Sequence, residues 1–200
     1  MPDQIDFYFD FSSSYSYIAH RKVVELGERL GVPVVWRPIS LGAIFAALGH
    51  QLPETGSPKQ KYIWHDVVRS ARENGLPYIW PDPFPVNSIP AMRGFYFLDA
   101  QPGADTIAYA NAIFKATFGE GRDIGNPDVL LNIVGGLGAN VEAFKTAISS
   151  AQIKQKLKQE TDAAMQLGIF GAPSFVVDGE LFWGADRLEA VERLVSREKV

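Results

Sequence analysis

Patterns typical of β-strands occur only near the two ends of this chain, and that distribution limits what it can fold into. Near the start, Ile5 to Phe11 is rich in aromatic and β-branched residues, and Val34 to Arg37 is a second such segment. Between them lie three serines that can cap a helix, then apolar residues at helical spacing, and Gly31 ends the pattern. This order predicts a βαβ unit with two parallel strands.

The strand pattern returns at Ser174 to Asp178 and at Leu181 to Trp183. The pair Asp178-Gly179 between these two apolar runs predicts a tight β-hairpin. Asp186, with Glu189 three residues later, has the spacing of a capping box, so we expect the last helix to begin there. The C-terminal part is therefore predicted to be ββα.

Residues 41–168 carry only helical patterns, which a proline-rich stretch interrupts. The predicted helices are Leu41 to Leu48, Lys59 to Asn74, Ser88 to Ala100, Asp105 to Phe118, a helix from Asn126-Pro127, Asn140 to Ser149 and Ala151 to Leu167. Tyr62 and Leu167 are expected on the buried faces of their helices. The whole pattern predicts an α/β fold, in which residues 1–40 and 169–200 form a thioredoxin-like βαβ–ββα core and residues 41–168 form a large all-helical insertion packed on it.

The composition is that of an ordinary globular protein, with 46% hydrophobic and 21% charged residues and a net charge of −4. No run of like charges indicates a nucleic-acid or membrane partner. No apolar stretch approaches the roughly 18 residues that span a bilayer, and the first residues lack the features of a signal peptide. We therefore expect a cytoplasmic protein.

The chain contains no cysteine. This excludes a disulfide, a cysteine nucleophile, a CxxC redox pair and a thiolate zinc site, and with them disulfide oxidoreductase activity. His20, His50 and His65 lack the spacing of metal ligands on a helix, so no metal site is expected. Any thiol that this protein uses must come from a ligand.

The first candidate site is Ser13-Ser14-Tyr15-Ser16, at the start of the first predicted helix. Thioredoxin-type folds carry their CxxC pair here, so a serine stands in place of each cysteine. A helix N-terminus has free N–H groups and a partial positive charge that favour an anion such as a thiolate, and a serine hydroxyl can donate to that thiolate. Alternatively, the serines only cap the helix.

The second candidate site is Gly171-Ala172-Pro173-Ser174, just before the third strand of the predicted core. A proline that follows a loop and opens a strand suits a cis peptide bond. In thioredoxin-type folds this loop faces the N-terminus of the first helix, and its backbone can pair with an extended peptide ligand. The alternative is an ordinary proline at a strand edge.

Several segments, in order along nearly the whole chain, carry a family resemblance: FYFDFSSSYSYIA, RPISLGAIFAALG, KYIWHDVVRSAR, PVNSIPAMR, GIFGAPSFVVDG and FWGADRLE. In these segments the chain resembles the 2-hydroxychromene-2-carboxylate isomerases. That family groups with the kappa-class glutathione transferases in the DsbA-like branch of the thioredoxin superfamily. The resemblance implies a DsbA-like architecture, glutathione as the cofactor and a homodimer.

The resemblance also implies a glutathione site. It places the family's catalytic serine, which faces the glutathione sulfur, at Ser13. It places the other contacts with glutathione at Ser14, Tyr15, His50, Ala172, Pro173, Ala185 and Asp186. The family has proline where this chain has Ser14, and asparagine where it has His50.

Motifs of the helical insertion match the family too. They give the candidate substrate-binding residues Lys61, Trp64, Arg69, Asn87 and Arg93. An aryl pocket is expected from the aromatic residues Trp64, Tyr78, Trp80 and Phe84, although the same residues suit a hydrophobic core.

The implied reaction is the glutathione-dependent interconversion of 2-hydroxychromene-2-carboxylate and trans-o-hydroxybenzylidenepyruvate, a step of aromatic catabolism. The ligands would be glutathione and a small aromatic enone or chromene carboxylate. Two alternatives stay open. One is a kappa-like transferase that conjugates glutathione to electrophiles, and the other is a non-catalytic DsbA-like binding or chaperone module.

Overall fold

A computed structural model of the chain describes residues 2–197. Its elements follow in this order: β1 Ile5–Phe9, α1 Ser14–Leu30, β2 Val34–Pro38, α2 Leu41–Leu48, α3 Pro58–Glu73, α4 Ile89–Asp99, α5 Thr106–Phe114, a π-helical turn Lys115–Gly119, α6 Pro127–Gly136, α7 Val141–Ser149, α8 Ala151–Gln166, β3 Ser174–Val177, β4 Glu180–Trp183, a 3-10 turn Ala185–Arg187 and α9 Leu188–Arg197. Residues 41–168 contain no strand, as predicted.

The four strands form one mixed sheet in the order β2-β1-β3-β4. Strands β1 and β2 run parallel, with Ile5 opposite Val34, and β3 runs antiparallel to both β1 and β4. The β3–β4 hairpin turns at Asp178 and Gly179, whose φ angles of 49° and 81° are those of a tight primed turn. The predicted βαβ–ββα core is therefore confirmed.

The aromatic residues of β1 connect the sheet to the helices of residues 41–168. Phe9 is fully buried, and its ring lies 5.9 Å from the ring of Phe95 in α4 and 5.7 Å from that of Phe114 in α5. These residues belong to one hydrophobic cluster that also contains the buried side of α1 and α9. A second, smaller cluster joins Tyr8 and Ile169 to Ile44 and Ala164. The division into residues 1–40 with 169–200 and residues 41–168 stays a prediction, and both clusters contain residues of both parts.

Two residues predicted to be buried are exposed. Tyr62 is 63% exposed because it lies nearly half a turn of the helix, roughly 140° to 180°, away from the inward face formed by Val67 and Ala71. Leu167 is 57% exposed because α8 ends at the preceding residue and the chain turns there. Both predictions extended an apolar stripe beyond the residues that pack.

The predicted capping box at the last helix is also wrong. Asp186 lies inside the 3-10 turn that precedes α9, and its carboxylate pairs with Arg187 at 2.9 Å. Both side chains are exposed, so this pair contributes little stability. The helix itself begins at Leu188. Asp186 is therefore free of the capping role that its spacing suggested.

His20 is a buried titratable side chain in α1. Its Nδ1–H donates to the carbonyl of Tyr17, and its ring packs against the rings of Tyr17 and Phe114, with ring centres 5.3 and 5.0 Å away. Burial lowers the pKa of His20 from 6.5 to about 4, so the imidazole is neutral in the folded protein.

This burial predicts that acid destabilises the fold. Between pH 6.5 and about 4 the unfolded chain binds a proton at His20 and the folded chain does not, so the free energy of unfolding falls as the pH falls through that window. The loss attributable to His20 is about 3 kcal/mol. Urea unfolding at several pH values should show it, and His20→Phe should flatten the slope. The exposed His65, changed to Gln, is the matched control and should leave the slope as it is.

No helix within residues 2–197 is long and apolar enough to cross a bilayer. Over the same residues, no group of three or more His, Asp or Glu side chains is arranged to hold a metal ion.

Candidate active site

Asp10 holds together the segment that leads from β1 into α1. Its carboxylate is 2% exposed and accepts hydrogen bonds from the N–H and hydroxyl of Ser12, at 2.8 and 2.9 Å, and from the hydroxyl of Ser88 at 2.6 Å. Its second oxygen accepts from the N–H of Leu41 at the start of α2, at 2.8 Å. The Asp10 carbonyl accepts from the N–H of Ser13 at 3.0 Å. One buried carboxylate thus fixes the position of the serine loop.

Ser13 caps helix α1 and also faces the loop before β3. Its hydroxyl accepts from the N–H of Ser16 at 3.1 Å and donates to the carbonyl of Ala172 at 2.9 Å. The peptide bond between Ala172 and Pro173 is cis, as predicted. The two candidate sites therefore meet, and the capping role and the role as a site residue fall on the same side chain.

Several polar groups at this junction have no partner within residues 2–197. They are the N–H groups of Ser14 and Tyr15 in the first turn of α1, and the N–H of Ala172. The hydroxyl of Ser16 is fully buried and also has no hydrogen bond there. Free N–H groups at a helix N-terminus suit an anion, and the open N–H of Ala172 suits pairing with an extended peptide. A peptide that carries a thiol fits both.

The segment from Gly184 to Asp186 adjoins the same loop. The N–H of Gly184 donates to the carbonyl of Pro173 at 3.0 Å, which brings the 3-10 turn beside the cis-proline. Gly184 has a φ of 115°, and a Cβ there would meet a carboxylate oxygen of Asp186 at 2.5 Å, so only glycine suits this position. The 3-10 turn also contacts α1, so Ala185 and Asp186 adjoin both the cis-proline loop and the first helix.

The other two predicted glutathione contacts in α1 have partners of their own. The hydroxyl of Tyr15 donates to Asp66 of α3 at 2.8 Å, and burial together with this bond raises the pKa of Tyr15. The hydroxyl of Ser14 lies 2.8 Å from that of Tyr78. Both residues therefore link the start of α1 to the helical insertion.

An aromatic wall extends from Ser14 toward α3. It consists of Tyr78, Trp80, Phe84 and Trp64. Tyr78 and Phe84 contact Trp80 edge-on, with ring centres at 5.1 and 5.0 Å, and Trp64 stacks on Trp80 at 4.5 Å. Trp64 and Phe84 remain 39% and 37% exposed, so this part of the wall is open to solvent, whereas Tyr78 and Trp80 also pack against the hydrophobic core. Such a surface can bind a planar aromatic ligand.

The wall stands on the proline-rich loop, residues 76–88, which is fastened beside α1 at both ends. The hydroxyl of Tyr17 donates to the carbonyl of Pro77 at 2.7 Å near its start, and Ser88 donates to Asp10 at its end. The N–H of Ile79 donates to the carbonyl of Phe118 at 2.6 Å. These bonds to α1, to the residue after β1 and to Phe118 hold the loop that carries Tyr78, Trp80 and Phe84 in place.

Three candidate substrate-binding residues, Lys61, Arg69 and Arg93, have different environments. Lys61 is exposed and, within residues 2–197, in no ion pair, whereas Arg69 pairs with Asp66. Arg93 lies in the middle of α4, and its guanidinium is 3.5 Å from the carbonyl of Ile148. Burial lowers the pKa of Arg93.

Two further candidates have local roles. Asn87 is exposed, and its side chain accepts from the N–H of Ile89 at 3.3 Å. His50 packs on Phe45 at the C-terminal end of α2, with ring centres 4.6 Å apart, and no contact joins it to the described residues of the junction. Their roles in binding stay predictions.

Sequence reasoning missed three structural partners of the site. Asp66 holds Tyr15, Ser88 holds Asp10, and Tyr78 holds Ser14. An aspartate at a strand end followed by serine is a known turn signal, so the bond from Asp10 to Ser12 was recognisable. The three long-range partners carry no such local signal.

Comparison with known proteins gives the same assignment of family. Residues 4–196 match the family model of the DSBA-like thioredoxin domain. The 2-hydroxychromene-2-carboxylate isomerase of Pseudomonas putida is 32% identical over 197 residues, which cover 96% of this chain and 94% of that protein. The human glutathione S-transferase kappa 1 is 22% identical over 207 residues, which cover 98% of this chain and 92% of that protein.

A solved structure of a 2-hydroxychromene-2-carboxylate isomerase superposes with a TM-score of 0.86 at 30% identity, over 96% of this chain and 94% of that one. The resemblance seen in the sequence segments is thereby confirmed, as is the DsbA-like thioredoxin fold. The chain belongs to the 2-hydroxychromene-2-carboxylate isomerase family of enzymes, built on a DSBA-like thioredoxin domain.

Proposed function

We propose that this protein is a glutathione-dependent isomerase that interconverts 2-hydroxychromene-2-carboxylate and trans-o-hydroxybenzylidenepyruvate. The observation that carries the proposal is the hydrogen bond of 2.9 Å between the Ser13 hydroxyl and the Ala172 carbonyl, in a chain without cysteine. A redox pair is absent from the place where this fold carries one, and the groups that would stabilise a thiolate are present. The family relatives named for this reaction support the assignment.

Different residues of the site would bind different parts of glutathione. Ser13 and the free N–H groups of Ser14 and Tyr15 would stabilise the negative charge on the sulfur. Ala172 would pair with the cysteinyl backbone, and Ala185 with Asp186 would bind the γ-glutamyl end. Glutathione, when bound, supplies a thiolate that adds reversibly to a conjugated carbon and so allows the former double bond to rotate.

The aromatic wall would hold the aryl group of the substrate. Trp64, Trp80 and Phe84 present partly exposed rings, and Tyr78 connects them to Ser14 beside the thiolate site. A flat substrate on this wall would lie alongside the sulfur. Burial raises the pKa of Tyr78, so its hydroxyl is protonated at neutral pH.

Lys61 is the best-placed partner for the substrate carboxylate. It lies three residues before Trp64 on α3, so the two side chains are neighbours on the helix surface. Arg69 lies about 140° around the helix from Trp64 and is already neutralised by Asp66. Lys61 is the cation that combines an unpaired charge with a position next to the wall.

Changing Lys61 to Gln should raise KM for the carboxylate substrate about tenfold, because a charge-assisted hydrogen bond is lost. The affinity for glutathione should stay as it is. Arg69→Gln is the matched control and should change KM by less than about twofold. Steady-state kinetics with both variants measures this, and a larger effect at Arg69 than at Lys61 would reverse the assignment.

The test of the function is to mix the protein and glutathione with trans-o-hydroxybenzylidenepyruvate and, separately, with a chloronitrobenzene. Interconversion with the chromene and no consumption of glutathione supports the isomerase. Accumulation of a thioether product would instead support the kappa-like transferase. Absence of any affinity for glutathione would support the non-catalytic binding or chaperone module.

The family also suggests a homodimer and a cytoplasmic location, and both are part of this proposal. Sedimentation of the purified protein tests the first, with twice the monomer mass of 22.0 kDa expected.

A further inference from the structure

The hydroxyl proton of Ser13 already takes part in a hydrogen bond in this structure. The oxygen accepts from the N–H of Ser16 at 3.1 Å, and its single proton is donated to the carbonyl of Ala172 at 2.9 Å. A serine hydroxyl has only one proton to donate. Ser13 therefore cannot donate to a sulfur and to Ala172 at the same time.

The neighbouring hydroxyls are hydrogen-bonded or buried. Ser12 donates to Asp10, and the Ser14 hydroxyl is bonded to Tyr78. The Ser16 hydroxyl is fully buried behind the first turn of α1. Donation from the Ser13 hydroxyl to a ligand thiolate thus depends on releasing Ser13 from Ala172.

Releasing Ser13 would leave the partly buried Ala172 carbonyl without its donor, which costs free energy. A ligand can remove that cost if it brings its own N–H. In a γ-glutamyl-cysteinyl peptide, the cysteinyl amide N–H and the thiol are carried by adjacent carbon atoms. One such residue therefore offers an N–H for the carbonyl and a sulfur for the freed hydroxyl.

We propose, resting on the proposed glutathione site, that the Ser13 hydroxyl passes from the Ala172 carbonyl to the ligand sulfur only when an amide N–H of the same ligand replaces it on that carbonyl. Ala172 is then a positioning residue that selects among thiols. A thiol with a cysteinyl amide is activated, and a thiol without that N–H is bound, if at all, in its neutral form. No covalent bond is made or broken in the exchange.

The fixed charges around the site act on every such ligand alike. They are Asp10, Asp66, Arg69, Asp186 and Arg187. Two ligands that differ only in the amide N–H meet the same charges, so their difference isolates the hydrogen-bond exchange.

The experiment compares glutathione with its ester analogue, in which oxygen replaces the cysteinyl N–H. The pKa of each bound thiol is measured from thiolate ultraviolet absorbance against pH, and binding of each is measured by calorimetry. We expect binding to wild type to lower the pKa of the glutathione thiol by about one unit or more relative to the ester analogue. In Ser13→Ala the two ligands should have the same bound pKa, while Ser57→Ala, which removes the cap of α3, should behave as wild type.

An ester analogue whose thiol pKa is lowered as far as that of glutathione in wild type would overturn the exchange and leave the glutathione site standing. A difference between the two ligands that persists in Ser13→Ala would also overturn it. Failure of glutathione itself to bind would overturn the proposed function, and the exchange with it. The wild-type comparison needs no variant, so the test survives if Ser13→Ala does not fold.

Discussion

Replacing Ser13 with alanine is expected to lower the isomerase rate at neutral pH by about 10- to 100-fold. The hydroxyl would donate a charge-assisted hydrogen bond to the thiolate, and such a bond is worth roughly 1.5–3 kcal/mol, or about one to two units in the thiol pKa. Less thiolate is then present at neutral pH, where a free thiol has a pKa of about 8.5. The rate deficit should shrink as the pH is raised through that pKa, which a purely structural loss would not produce.

The control for this change must separate the cap from the chemistry, because Ser13 also caps α1. Ser57 caps α3 through the N–H of Gln60 in the same way, at 3.2 Å. Its replacement by alanine should cost a similar free energy of unfolding, about 1 kcal/mol, without changing the rate. An equal loss of rate in Ser57→Ala, or a Ser13→Ala deficit independent of pH, would rule out the thiolate role.

The largest loss of stability is expected when Asp10 is replaced with alanine. Its carboxylate accepts from Ser12, Leu41 and Ser88, and alanine would leave these donors without an acceptor in a buried place. Breaking a buried network of this kind costs about 3–5 kcal/mol of the free energy of unfolding. Urea unfolding measures it as a lower midpoint at an unchanged slope.

Asp105→Ala provides the comparison. This aspartate accepts one bond, from the N–H of Ala108 at 2.8 Å, at the exposed start of α5. Its loss should cost about 1 kcal/mol. Asp10→Asn should fall between the two, because the amide keeps only one of the two acceptor oxygens. A cost at Asp10 no greater than that at Asp105 would show that Asp10 does not organise the loop.

The core of the fold could be predicted from the sequence because its signals are local. The aromatic run of β1, the serine cap and Gly31 of α1 and the Asp178-Gly179 turn each specify a backbone conformation with neighbouring residues alone. Each was recovered in the structure. The cis peptide bond at Pro173 was also predicted from its place between a loop and a strand.

Predictions that depend on tertiary structure were less accurate. Tyr62 was assigned to the buried face of α3, but it lies opposite Val67 and Ala71, the residues of α3 that are buried in the fold. Asp186 has the spacing of a cap, but the 3-10 turn after Gly184 places it ahead of the helix. Sequence spacing defines which residues share a face, and only tertiary packing decides which face is covered.

The candidate site shows the same limit. The motif residues Ser13 and Ala172 could be named from order along the chain, and the structure brings them to 2.9 Å. The aromatic wall could be listed by residue type but not distinguished from core, since exposure of Trp64 and Phe84 depends on how loop 76–88 is fastened. The hydrogen bond between Ser14 and Tyr78 joins residues 64 positions apart, and no local sequence pattern predicts it.

The central claim is that the N-terminus of α1 stabilises a thiolate supplied by glutathione. Calorimetric titration in buffers of different ionisation enthalpy tests it directly, because it counts the protons released on binding. Glutathione should bind and release a substantial fraction of a proton at neutral pH, and S-methylglutathione, which has no thiol proton, should release none. Absence of glutathione binding, or equal proton release with both ligands, would contradict the claim.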